Sequence, residues 1–110
     1  PYGAIDIKEQ LRQTVESVRS IRKLFDLPYG AFAFPHNDAA VSREFFRKLR
    51  EGSTVDISFG TGGMITDGIS GHLQRCSLEN PPLPAERIIA LEYARKMLGI
   101  MTGNDRVMRD

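Results

Sequence analysis

Apolar side chains recur at three- and four-residue steps over residues 6–26, as Ile7, Leu11, Val15, Val18, Ile21 and Phe25. That spacing predicts one amphipathic helix. Asp6 stands where an N-cap is needed, and Glu9 three residues on completes a capping-box pattern. Lys8, Glu9, Arg12, Glu16, Arg19 and Lys23 fill the other face, and their mixed signs read as a solvated surface. Pro28 disfavours helical geometry at Leu27 and ends the helix. Next, Gly30-Ala31-Phe32-Ala33-Phe34-Pro35 is short, apolar and bounded by Gly and Pro. It predicts a strand covered on both faces, as in a parallel sheet. After the polar break His36-Asn37-Asp38, residues 39–51 predict a second helix, with Val41, Phe45, Phe46 and Leu49 inward and Gly52 as its stop.

Thr54-Val55-Asp56-Ile57-Ser58-Phe59 alternates apolar and polar residues and predicts a second strand. Gly60-Thr61-Gly62-Gly63 opens a glycine-rich polar loop that runs to Gly71, and residues 72–78 predict a third strand. Asn80-Pro81-Pro82 reads as a rigid turn. Pro84 suits the first turn of a third helix, with Glu86 near its positive end. Ile88, Leu91, Arg95 and Leu98 form one side of that helix, Ile89, Tyr93 and Met97 lie beside it, and Gly99 begins its stop. Residues 103–110 are polar and are expected to fray, leaving residues 1–102 as the folded unit. The order α-β-α-β-β-α predicts an α/β fold with parallel strands and crossover helices. Whether the third strand continues the parallel pattern stays open.

Composition narrows the possibilities. At 110 residues the chain is one domain at most, and too short for a complete (β/α) barrel, which needs about 250. With 15 basic and 14 acidic side chains it lacks the basic excess of a nucleic-acid binder. No apolar run reaches the roughly 20 residues of a membrane span. The lone Cys76 excludes an internal disulfide or a cysteine-based zinc site, and a buried thiol is favoured over a nucleophile. Pro1 in first place implies processing, trimming or a fragment, and the compartment stays open.

Parallel α/β folds place chemistry in the loops after the carboxyl ends of strands. Here one such loop is Pro35-His36-Asn37-Asp38 and the other is Gly60-Thr61-Gly62-Gly63. Pro35 fixes its own φ, and Asn37 tolerates left-handed geometry. A stiff turn of this kind can present the backbone N–H of His36 to developing negative charge. His36 and Asp38 also form a His-x-Asp pair of the type that holds divalent metals, while capping of the second helix is the structural role expected of Asp38. The glycine loop lacks the following helix of a dinucleotide site and reads as a close-packed or flexible turn. His72 begins the third strand.

Phe32-Ala33-Phe34-Pro35-His36-Asn37-Asp38 resembles the third motif of the polysaccharide deacetylases, carbohydrate esterase family four, whose domain is also called the NodB-homology domain. The preceding helix, the Val55-to-Thr61 strand and His72-Leu73-Gln74-Arg75 are similar too, so the resemblance spans about residues 6–98. It implies part of a deformed (β/α) barrel, acting on an acetylated carbohydrate by metal-assisted hydrolysis of N-acetyl or O-acetyl groups. The family's divalent metal, usually zinc, is held by an aspartate and two histidines, and a second aspartate is the base. Carried over, the resemblance gives His36 the oxyanion N–H, in the place of the usual Tyr, and puts Asn37 at the usual glycine. Ala33 stands where many members have an arginine. Pro35, Asn37 and Asp38 fall beside the substrate, and His72 falls near the position of the family's general acid.

The Asp-Asp and His-x-x-x-His motifs are absent, so no residue of this chain is assigned as a metal ligand. The chain is expected to be the C-terminal part of a deacetylase domain, inactive and without tightly bound metal on its own. A second reading is a non-catalytic carbohydrate-binding or interaction module, self-associating through strand edges. A third is a small metal-dependent hydrolase built on His36, Asp38 and His72.

Overall fold

The computed structural model describes residues 2–79 and 83–110; the expected Asn80-Pro81-Pro82 turn lies outside them. After a short 3-10 turn at Tyr2–Ala4 come α1 (Ile7–Phe25), β1 (Ala31–Ala33), α2 (Arg43–Glu51), β2 (Ile57–Gly60), β3 (His72–Gln74) and α3 (Ala85–Thr102). The fold is mixed α/β. Its strands form one parallel sheet in the order β1-β2-β3, so the third strand does continue the parallel pattern. Register sets Phe32, Ser58 and His72 in one row across the sheet, with Gly60 and Gln74 paired further along the same face.

Asp6 caps α1, its carboxylate accepting from the Lys8 N–H at 2.9 Å. Glu9 does not complete a capping box; its carboxylate is taken by Arg12 and Gln13. The deepest row of α1 is Gln10, Thr14 and Val18, spaced four apart, and it shares only Val18 with the hydropathic stripe. The 3-10 turn makes this possible: Gln10 Nε2 donates to the Tyr2 and Ile5 carbonyls, each at 3.0 Å, and the Tyr2 hydroxyl bonds the Thr14 hydroxyl. Ile7, Leu11 and Val15 are partly buried, whereas Ile21 and Phe25 at the end of the stripe are exposed.

Ser42 caps α2 by accepting from the Phe45 N–H at 3.2 Å, so the helix starts four residues later than the apolar pattern alone indicates. The capping role expected of Asp38 is therefore overturned. The core lies on the face of the sheet that α1 and α2 cover: Val18, Phe34, Val41, Phe45, Phe46, Leu49 and Val55. Phe34 is its centre, fully buried, with the rings of Tyr2, Phe32, Phe45, Phe46 and His72 packed around it. Full burial of one such side chain contributes about 2–3 kcal/mol.

The opposite face is open. Ala31 and Ala33 are exposed, so β1 is not covered on both faces as the apolar run predicts. Its free edge has no partner strand among the described residues. Helix α3 carries apolar residues around most of its circumference, with Glu92, Arg95 and Lys96 on one side, yet none of its described residues is buried. It is tied to the loop after β2 by the Glu92 carboxylate, which accepts from the Met64 N–H at 2.9 Å. Gly99 does not stop α3; the helix runs on to a left-handed Gly103 (φ 77°).

Residues 103–110, expected as a polar tail, are tied to the body of the fold. Val107 N–H donates to the Thr66 carbonyl, Arg43 N–H donates to the Asp110 carbonyl, and Arg109 is buried. One polar residue of this segment, Arg109, is part of a buried ion-pair network.

Candidate functional site

Two features occupy the carboxyl ends of the strands. The first is an open cleft of about 500 Å³, lined by Pro35 after β1, Thr61 after β2, and Arg75, Cys76 and Glu79 after β3. Thr61 Oγ1 donates to the His36 carbonyl at 3.2 Å, and Arg75 Nη2 donates to the Phe34 carbonyl at 2.7 Å. The turn is thus held on both sides of Pro35. No described residue accepts a hydrogen bond from the His36 N–H. His36 itself is exposed. Asn37 does not adopt a left-handed backbone, since Asp26 and Ser53 are the described non-glycine residues with positive φ. Its side chain instead makes an Asx turn, accepting from the Ala39 N–H at 2.7 Å.

The second feature is a buried polar cluster beneath that turn. The Asp38 carboxylate lies over Gly60, where a β-carbon would come within 2.5 Å of both its oxygens. Glycine at that position is the opening the carboxylate fills. Thr61 N–H donates to Asp38 Oδ1 at 2.9 Å. Gln74 Nε2 and Arg109 Nη2 donate to Oδ2 at 2.9 and 2.5 Å. His72 Nε2 stands 2.9 Å from the same Oδ2, and facing an acceptor-only carboxylate assigns it a hydrogen. His72 Nδ1 lies 2.8 Å from Ser58 Oγ. Asp67, from the loop between β2 and β3, receives Arg109 Nη2 at 2.7 Å and Gln74 Nε2 at 2.9 Å. The guanidinium also stacks over Phe46, 4.8 Å from its centroid.

Burial pushes the Asp38 carboxyl up, but hydrogen bonds from Gln74, the Thr61 N–H, His72 and Arg109 outweigh it and hold the group well below the ordinary value. Asp67 behaves alike: burial raises it, and Arg109 and Gln74 bring it down. Burial lowers the Arg109 pKa, and its bonds to Asp67 and Asp38 carry it above the usual arginine value.

The cluster settles several sequence expectations. Asp38 and His72 do meet. His36 does not join them, so the set His36, Asp38 and His72 is not one site. Asp67, Gln74 and Arg109 complete it instead. Gln74 had a readable signal, since it lies two residues from His72 on one strand and so shares its face. Asp67 and Arg109 had none, being 42 residues apart in a polar loop and a polar tail. A proton donor to a leaving group must touch it, and the His72 side chain is 0% exposed with both nitrogens engaged.

One ligand atom each from Asp38, Asp67 and His72 lies within 4.8 Å of the others, and such donors suit a divalent cation. The charge chemistry argues otherwise. Arg109 Nη2 already bridges the two carboxylates, and among the described residues no buried side-chain polar atom lacks a partner. An ion taking those two oxygens would compete with that nitrogen, which already lies 2.5 and 2.7 Å from them. The cluster as arranged does not fit the metal that the deacetylase resemblance implies. No family model, curated protein or solved structure matches this chain.

Proposed function

We propose that this chain is the C-terminal part of a metal-dependent polysaccharide deacetylase domain, providing the oxyanion side of the site while the metal ligands and the general base come from residues preceding Pro1. One observation carries the reading: three parallel strands end at a common cleft, and beside Pro35 the His36 N–H has no acceptor among the described residues. In this reading the three strands are an arc of a deformed barrel, and the free β1 edge and open sheet face meet the remainder of the domain. A divalent ion, zinc by resemblance, supplies Lewis-acid chemistry in the complete domain; no residue of this chain holds it.

The residues here have a positioning task. Pro35 restricts the backbone ahead of His36. Thr61 fixes the His36 carbonyl and so orients the turn. The His36 N–H then donates to the oxygen that gains charge as an acetyl carbonyl is attacked; loss of one such donor costs about 10²–10³ in rate elsewhere. Asn37 and Pro35 form the rim that meets the acetylated sugar, and Asp38 turns inward to anchor the loop.

The second reading, a non-catalytic interaction module, draws on the apolar surface of α3, where Leu91, Tyr93, Met97 and Leu98 are each more than half exposed. Determining the coding sequence ahead of Pro1 separates the two. An Asp-Asp pair followed by His-x-x-x-His is expected; a coding region without those residues overturns the deacetylase reading and leaves the module.

A further inference from the structure

The Asp38–Asp67–His72 grouping has the donors of a metal centre and the charge partner of a closed one. All five N–H positions of the Arg109 guanidinium have an acceptor. Nη1 donates to the Asp38 carbonyl at 2.5 Å and the Val41 carbonyl at 3.0 Å. Nη2 donates to the Asp38 and Asp67 carboxylates, and Nε donates to Asp67 at 3.2 Å. This is a complete use of the planar fork, which an ammonium on a shorter reach cannot reproduce.

We infer that Arg109 is the resident cation of this cluster, in place of a divalent metal, and the positioning residue for the turn that carries His36 and Asp38. The inference stands on this chain alone and does not require the deacetylase reading. Asp38 directly follows the turn, and Arg109 grips it twice, by carboxylate and by carbonyl. Through Asp38 the grip extends to the Thr61 N–H, and Thr61 in turn holds the His36 carbonyl. A residue 71 positions away in sequence therefore sets the turn at the mouth of the cleft. The arm that delivers it is itself anchored: Thr66 bridges to Arg106, and Arg43 Nε donates to the Arg109 carbonyl at 3.2 Å. Metal and arm compete for the same oxygens, so the docked arm excludes the metal.

Two measurements test this on the chain itself. In the first, wild-type protein dialysed against EDTA is melted with and without added zinc or manganese chloride. The expected melting temperature is the same in all three, with no ion retained. Stabilisation by either ion, or a stoichiometric ion that survives purification and whose removal lowers the melting temperature, overturns the inference. In the second, amide hydrogen exchange is followed at Val41 and Thr61, whose N–H groups bond Asp38. Arg109→Lys keeps the charge but loses the fork, and is expected to raise exchange at these amides about tenfold above any change at Phe45. Val18→Ala, in the core but away from the arm, serves as the control and is expected to raise exchange without that preference. If Arg109→Lys raises exchange evenly, or not at all, Arg109 does not position the turn. Should Arg109→Lys fail to fold, Arg43→Ala, which frees the Arg109 carbonyl, takes its place in the exchange comparison with the same expected and contrary outcomes, and the wild-type melt still decides the metal question.

Discussion

Replacing Asp38 by Asn removes one negative charge from a largely buried network while changing little in volume. Its carboxylate faces four donor groups, from Thr61, His72, Gln74 and Arg109. An amide offers one oxygen, so whichever way it turns, its NH₂ group meets a donor already in place. Breaking a buried charge pair by removing one partner costs about 3–5 kcal/mol. Asp67 stays to pair Arg109, which favours the lower end, about 3 kcal/mol. For a domain near 100 residues that lowers Tm by roughly 12 °C or more. Urea unfolding at pH 7, followed by far-ultraviolet circular dichroism, reads the loss as a shift in midpoint at unchanged slope. A companion series in an Arg109→Met background sharpens the result: with the guanidinium gone, Asp38→Asn is expected to cost much less, a coupling of about 1–3 kcal/mol. A loss below about 1 kcal/mol in the wild-type background, the range of solvent-exposed ion pairs, would refute the reasoning.

Other outcomes follow from the same geometry. Asp38 and Asp67 are both held below the ordinary value of 3.8, so the unfolded chain takes up protons first as pH falls. Their contribution is full above that value and is lost as pH drops below it toward the folded values; wild type is expected to show a steeper acid loss of unfolding free energy than Asp38→Asn, and a shallower one contradicts the account. Gly60→Ala places a methyl group 2.4 Å from Gln74 Oε1 and 2.5 Å from the Asp38 oxygens, for an expected loss of about 1–3 kcal/mol in urea titration; a neutral result means the carboxylate does not need that opening. Helix α3 leaves Met97 and Met101 61% and 80% exposed on an apolar surface. Sedimentation of the isolated chain is expected to show concentration-dependent association, relieved by Met97→Lys with Met101→Lys, and a strictly monomeric wild type opposes this.

The elements were legible because their signals are local. The α2 face repeats at helical spacing, and the apolar run through Phe34 is bounded by glycine and proline. The misplaced details have physical causes of longer range. Gln10 and Thr14 look like poor core residues until the Tyr2 carbonyl accepts from the Gln10 amide and the Tyr2 hydroxyl meets the Thr14 hydroxyl, so of the buried row of α1 hydropathy marked only Val18. Exposure of Ala31 and Ala33 depends on what lies beside β1, which no property of those alanines encodes. Asp38 reads locally as a cap because it precedes a helix, and only the approach of Arg109 and Gln74 from elsewhere in the chain draws it inward. Polar residues in a tail look solvated whether or not a buried carboxylate awaits them, which is why Arg109 gave no sign. The turn at Pro35 to Asp38 was visible as a candidate through its residue types, whereas the network that holds it was not.

The most direct test of the central claim is acetate release. The protein encoded by the whole reading frame, loaded with zinc, and the 110-residue chain alone would each be incubated with N-acetylglucosamine oligomers and with acetylated xylan. The account predicts metal-dependent release by the former on at least one substrate, and none by the latter. Turnover by this chain alone, abolished by EDTA, would contradict it, as would a zinc-loaded complete protein that releases no acetate from either.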